Sequence, residues 1–244
     1  MPSELLIGLK HKLIVSVQAE KHEPLAAPAT LSALCESVLL GGAGGLRLAN
    51  LEVIRLIRQH HPNLPVIGLT KPDPLPLKKL EQVYITPTPE EALSLIKAGA
   101  SIVATDATNR PRPNGQTLAL WVDQVKQTCP HIPLMADCSN LNDAQIALDL
   151  GFDCVSTTLS GYTTETKANN TGHPDWSLLT QLIEELPNGY PIILEGRVNQ
   201  PNEISKALSL GAYTVVVGSA ITRPHLITRQ FSKATQQVSA FKKV

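Results

Sequence analysis

Eight short, nearly unbroken apolar runs, each followed by a helix-like stretch, constrain this chain more than any other feature. The first four are KLIVSVQ (Lys12 to Gln18), GLRLA (Gly45 to Ala49), PVIGLT (Pro65 to Thr70) and SIVATDA (Ser101 to Ala107). The second four are PLMADCS (Pro133 to Ser139), CVSTTL (Cys154 to Leu159), PIILEG (Pro191 to Gly196) and TVVVGSA (Thr214 to Ala220). Strands with one wet face alternate apolar and polar residues; runs apolar throughout are covered on both faces, as in parallel sheets. The patterns between them predict helices over 30–40, 51–60, 89–98, 116–129, 142–150, 175–186, 201–210 and 225–238.

The segments IKAGASIVATDA, ALDLGFDCVSTTL and ALSLGAYTVVVGSA repeat one plan: a helix end, a glycine suited to a left-handed cap, then a strand. ESVLLGGAGGLRLA is a looser fourth copy, and its Gly41 to Gly45 run follows a helix and precedes a strand. A dinucleotide fingerprint has the opposite order, so those glycines read as a tight turn. Eight such units in 244 residues predict one closed (β/α)8 barrel spanning residues 1–244 as a single domain.

Composition narrows the class of ligand. Lys plus Arg and Asp plus Glu each number 21, so no net field draws the chain to nucleic acid or an anionic membrane. No apolar run reaches membrane-spanning length, and the four cysteines lack metal or redox spacing, which points to reduced thiols and a cytoplasmic protein. The seven histidines show no H-E-x-x-H or similar spacing, so no protein-built metal site is expected.

In this fold the chemistry lies at the C-terminal ends of the strands. The polar residues there are Gln18, Arg47, Lys71, Asp106, Thr108, Asp137, Thr157, Thr158, Glu195, Arg197, Gly218 and Ser219. Lys71 follows a buried strand, and a lysine robbed of water there serves as a base or a Schiff-base nucleophile; a solvated loop lysine is the even alternative. Glu195 and Arg197 are two residues apart, which in a strand places them on one face, either as a structural ion pair or with Glu195 as an acid/base group. Arg47 and Asp137 are either substrate contacts or a pair across the barrel. Gly196, Gly218, Ser219 and Arg223 suit the phosphate site that the last two loops of such barrels often build, although a Gly-Ser turn also serves as a plain helix cap and Arg223 reads equally as solvated. The loop TNRPRPNG (Thr108 to Gly115) reads as a lid edge or a solvated turn.

The segments IVSVQAEKHEPL, GAGGLRLAN, VIGLTKPD, VYITPTPEEALSLIKAGASIVATDAT, RPRPNG, LMADCSN, DCVSTTLSGYT, ILEGRVNQP and GAYTVVVGSAITRP together resemble, in order, the N-acetylmannosamine-6-phosphate 2-epimerases. The resemblance implies an N-acylglucosamine-6-phosphate 2-epimerase of amino-sugar and sialic acid metabolism, without metal or nicotinamide cofactor, acting on a phosphorylated N-acetylhexosamine. It further implies that Lys71 carries the C2 proton and Glu195 assists ring opening. Gln18, Arg47 and Asp137 would contact substrate, and Gly196, Arg197, Gly218, Ser219 and Arg223 fall in the phosphate loops. A homodimer is implied by the resemblance alone. Val17 stands where the family often has Cys. A Schiff-base lyase and a non-catalytic phosphosugar-binding protein are the rival readings.

Overall fold

A computed structural model describes residues 3–241, with side chains described to residue 235. Eight parallel strands pair in chain order and close into a barrel, β8 returning to pair with β1. They are β1 (Leu13–Val17), β2 (Gly45–Leu48), β3 (Val66–Gly68), β4 (Ile102–Asp106), β5 (Leu134–Asp137), β6 (Cys154–Ser156), β7 (Ile192–Glu195) and β8 (Thr214–Val217). All eight lie within the predicted runs.

The surrounding helices are α2 (Pro28–Leu40), α3 (Leu51–His60), α4 (Pro89–Ala98), α5 (Leu118–Thr128), α6 (Leu141–Asp149), α7 (Trp176–Glu185), α8 (Pro201–Leu210) and α10 (Pro224–Phe241). Their starts follow local chemistry. Thr88 caps α4 in a reciprocal box with Glu91, and Asn50, Thr117, Asn140 and Asp175 accept first-turn amides of α3, α5, α6 and α7. The repeat glycines take the left-handed conformation expected of them: φ is 107° at Gly99, 79° at Gly151 and 114° at Gly211.

Alternation along the strands sorts the residues into two cores. Outward residues such as Leu46, Leu48, Val103, Val155, Leu194 and Val215 pack beneath the helices. Inward residues Ile14, Ile67, Ile102, Met135, Cys154, Ile193 and Val216 fill the barrel as a packed interior. A helix outside the predicted set, α1 (Glu4–Leu9), sends fully buried Leu6 and Leu9 into that interior cluster and stops the N-terminal end of the barrel. A single turn, α9 (Ser219–Thr222), follows β8. Among the described residues no helix is long and apolar enough to cross a membrane.

Candidate active site

The two-residue period that puts Ile193 inside also puts Glu195 inside, and the same parity turns Ser16, Arg47, Asp137 and Ser156 toward the axis. These residues form a polar layer on top of the apolar interior. Ser16 and Glu195 of this layer line a cavity of about 450 Å³ together with Gln18, Lys71, Thr158, Gly218 and Arg223, while Arg47, Asp137 and Ser156 lie buried beneath that lining.

Arg47 is the centre of the layer and only 1% exposed. Its Nη2 donates to Asp137 Oδ2 at 2.6 Å, its Nε lies 3.2 Å from Glu195 Oε1, and its Nη1 meets Met135 Sδ at 3.4 Å. Arg47 and Asp137 thus pair across the barrel. Burial opposes the arginine's charge, but the neighbouring Asp137 and Glu195 outweigh it and hold the guanidinium more firmly protonated than usual. The Nε contact is close enough to be electrostatic while its angle falls short of a hydrogen bond, so Glu195 is held by Arg47 less firmly than Asp137 is.

Glu195 is pushed above the usual carboxylate range, first by burial and then by Asp137, against the opposing pull of Arg47, Lys71 and a hydrogen bond from Thr158. Its Oε2 accepts from Thr158 Oγ1 at 3.0 Å. Thr157 clamps its backbone from both sides: the hydroxyl donates to the Glu195 carbonyl at 2.8 Å and accepts from the Glu195 amide at 3.1 Å.

Lys71 follows β3, and its Nζ donates to Gln18 Oε1 at 2.9 Å while Gln18 Nε2 donates to Ser16 Oγ at 2.7 Å. Loss of hydration, reinforced by Arg47 and Arg223 and resisted by Glu195 and Asp137, brings Lys71 down to about 8. The residue still meets water at the rim, so its loss of hydration is partial. An amine in this range exchanges its proton near neutrality, which is what a general base needs.

The last two loops differ from expectation at one point. Arg197 does not share a strand face with Glu195, because β7 ends at Glu195 and the chain turns through Gly196 (φ 109°) and Arg197 itself (φ 58°). The Glu195–Arg197 ion pair therefore does not form. Arg197 instead donates to the carbonyls of Ser160 at 2.6 Å and His173 at 2.7 Å and lies 5.6 Å over the Tyr162 ring, still on the cavity wall. Gly218 and Ser219 open α9, which Thr222 ties to β1 through a 2.9 Å bond to the Ser16 carbonyl. Arg223 borders the cavity and is paired with Glu23 of the β1 loop, so it is not free in solvent.

The TNRPRPNG loop is anchored by its two arginines, while Asn109, Pro111 and Pro113 to Gly115 are exposed. Arg110 Nη2 meets buried Asp106 at 2.5 Å and its Nη1 reaches the carbonyls of Lys79 and Tyr162, while Arg112, nearly buried, donates to the Asp106 carbonyl. The loop pins the β3, β4 and β6 loops together behind the cavity wall. Sequence reasoning passed over Ser16 and Ser156; counting back two residues from Gln18 and Thr158 would have found both on the inward face. Among the described residues no group of three His, Cys, Asp or Glu side chains converges as metal ligands would.

Known proteins of one kind resemble this chain over most of its length. Residues 31–237 match the family model described as "Putative N-acetylmannosamine-6-phosphate epimerase". The chain belongs to this family. Relatives carrying the same designation, as 2-epimerases, include one from Enterobacter sp. (strain 638), 42% identical over 93% of this chain and 94% of that protein. Another, from Clostridioides difficile (strain 630), is 41% identical over 95% of this chain and 99% of its own. The solved structure of the N-acetylmannosamine-6-phosphate 2-epimerase from Clostridium perfringens superimposes with a TM-score of 0.86 at 39% identity, covering 95% of this chain and 96% of that one. A Legionella pneumophila KDPG aldolase, at 13% identity and a TM-score of 0.60, shares the fold alone.

Proposed function

We propose that this chain is an N-acylglucosamine-6-phosphate 2-epimerase, interconverting N-acetylmannosamine 6-phosphate and N-acetylglucosamine 6-phosphate. The observation that carries the proposal is geometric: Lys71, held by Gln18, and Glu195, held by Thr158, face one cavity over a buried arginine, in a chain of the epimerase family. Their environments drive an amine and a carboxyl toward their uncharged forms, which separates a base from an acid at neutral pH.

The C2 hydrogen of a closed pyranose is barely acidic; ring opening puts an aldehyde at C1 and makes C2 an α-carbon. Glu195, protonated at rest, passes a proton to the ring oxygen as the C1–O bond of the ring breaks and takes up the C1 hydroxyl proton, so it is protonated again once the aldehyde has formed. Neutral Lys71 then removes the C2 proton, and return of a proton to the opposite face inverts the centre. Arg47 and the protonated form of Glu195 stabilise the oxygen that becomes an enolate. Gln18 orients the lysine amine, and Asp137 keeps Arg47 in place. Gly196, Gly218, Ser219 and Arg223 hold the phosphate, and Arg197 shapes that loop from the cavity wall; the anchored phosphate offsets the entropy of fixing an open-chain sugar. Free N-acetylmannosamine should therefore react poorly.

Proton NMR of N-acetylmannosamine 6-phosphate in deuterated water tests the reading. The expected result is N-acetylglucosamine 6-phosphate bearing deuterium at C2, lost in Lys71→Ala, with Lys71 left unmodified by borohydride in the presence of substrate. No conversion and no exchange by the unaltered protein would overturn the assignment, and a borohydride-trapped adduct on Lys71 would replace it with a Schiff-base lyase.

A further inference from the structure

We propose that Ser156 and Thr158 form a proton relay joining Glu195 to Asp137, so that the ring Arg47–Asp137–Ser156–Thr158–Glu195 stores one proton between its two carboxyls. The ring is closed by five contacts. Arg47 Nη2 meets Asp137 Oδ2 at 2.6 Å, Asp137 Oδ1 meets Ser156 Oγ at 3.0 Å, and Ser156 Oγ meets Thr158 Oγ1 at 2.6 Å. Thr158 Oγ1 meets Glu195 Oε2 at 3.0 Å, and Glu195 Oε1 lies 3.2 Å from Arg47 Nε.

Arg47 Nη2 brings the proton of its bond to Asp137, and the Arg47 Nε–Glu195 contact is electrostatic, without a hydrogen bond. The three contacts that remain along Asp137, Ser156, Thr158 and Glu195 each need one proton, and the two hydroxyls bring two. If both carboxylates were ionised, Ser156 would donate to Asp137 and Thr158 to Glu195. Two hydroxyl oxygens would then face each other at 2.6 Å with no hydrogen between them. One further proton on a carboxyl removes the conflict. With it on Glu195, every donor in the hydroxyl chain points one way: Glu195 to Thr158, Thr158 to Ser156, Ser156 to Asp137. A concerted shift moves each proton one oxygen along, leaving Glu195 ionised and Asp137 protonated, with no net change in charge.

The strands supply this arrangement. Asp137 and Ser156 are register partners of β5 and β6, and Thr158 lies two residues beyond Ser156, facing the same way. Thr157 between them faces Glu195's backbone and sets its distance from the relay. The charged and titratable groups around Glu195 are Arg47 on β2, Lys71 after β3, Asp137 on β5 and Arg223 after α9, with the Cys154 thiol held neutral by burial below. Burial and Asp137 raise the proton affinity of Glu195, in line with a carboxyl that keeps its proton.

In the epimerase reading, on which the use of this proton rests, the relay holds the stored proton on Asp137 while ionised Glu195 carries the C1 hydroxyl proton to the ring oxygen, and returns it to Glu195 once the ring is open, without recruiting water. Carbon NMR of protein labelled at Asp and Glu carboxyls, assigned through Glu195→Gln and Asp137→Asn, tests the relay without substrate. In the unaltered protein the Asp137 carboxyl signal should change at the same pH at which Glu195, raised above the usual carboxylate range, loses its proton. Thr158→Val, nearly isosteric, and Ser156→Ala should separate the two titrations, while Thr158→Ser should keep them joined. With substrate, Thr158→Val should lower kcat about tenfold, a fraction of the effect of general acid–base catalysis, leave KM within about twofold and shift the alkaline limb of the pH profile. Joint titration persisting unchanged in both hydroxyl-deleting variants would overturn the relay, since direct charge coupling would then suffice. Lack of turnover by the unaltered protein would count against the epimerase reading and leave the carboxyl titrations to decide the relay.

Discussion

Replacing Asp137 by alanine should unsettle the whole barrel, because it strands the guanidinium of Arg47 among apolar side chains. Arg47 is 1% exposed and Asp137 fully buried, with 2.6 Å between their charged atoms, so water cannot substitute for the lost carboxylate. Removing one member of a buried pair costs about 3–5 kcal/mol, because the survivor keeps its charge without its partner. Glu195, 3.2 Å from Arg47 on the other side, offsets part of that loss and places the expected cost near the lower end, about 3 kcal/mol. For a chain of this size each kcal/mol moves Tm by about 2–4 °C, so the loss corresponds to roughly 6–12 °C. Urea unfolding and calorimetry of Asp137→Ala, Arg47→Met and the double variant Arg47→Met/Asp137→Leu form the test. The double variant should recover most of the stability lost by Asp137→Ala, since no charge is left buried. A loss below about 1 kcal/mol in Asp137→Ala, or no recovery in the double variant, would refute the view that this pair is buried and mutually dependent.

The pH–rate profile should be bell-shaped with its alkaline limb near 8, since the active state holds a neutral Lys71 and a protonated Glu195 sharing one proton. In Glu195→Gln the residual rate should instead rise with pH through the Lys71 titration and show no alkaline limb; a bell that survives the substitution would refute the assignment. Arg223→Ala should raise KM for the phosphorylated sugar by about tenfold or more, the worth of one charge-assisted hydrogen bond. Glu23→Gln, which releases Arg223 from its present partner, should lower KM, and an unchanged KM in both would remove Arg223 from the phosphate site. Gly68→Ala should cost about 1–3 kcal/mol in urea unfolding, because a methyl group there would stand 2.6 Å from the Ala100 Cβ; a neutral effect would show more slack behind β3 than the packing allows.

The strands were legible because a doubly covered strand has no polar face to hide its run, and the helix ends because left-handed glycines recur at 99, 151 and 211. α1 was not legible. ELLIGL is too short to show a helical period, and its burial depends on a barrel end that exists only after the chain has closed. Arg47, Asp137 and Glu195 stood out as charges within apolar strands, and of the two readings the sequence left for Arg47 and Asp137 the structure displays the pairing. Arg197 was misplaced because the two-residue period was carried past the end of β7, where Gly196 turns the chain. The Glu23–Arg223 contact joins residues 200 positions apart, and no local pattern announces such a pair.

The stopper formed by Leu6 and Leu9 gives the barrel axis a dielectric gradient: hydrocarbon lies below the Arg47 layer, water above it. Only the upper half of that boundary can change. A sugar phosphate settling on the layer displaces water from one side while the other side is already dry, so the loss of hydration falls on Lys71 and Glu195 together. Both respond by favouring their uncharged forms, the amine by releasing a proton and the carboxyl by keeping one. Ligand capture and selection of the reactive protonation state are then one event, driven by the fixed apolar plug at the far end of the barrel.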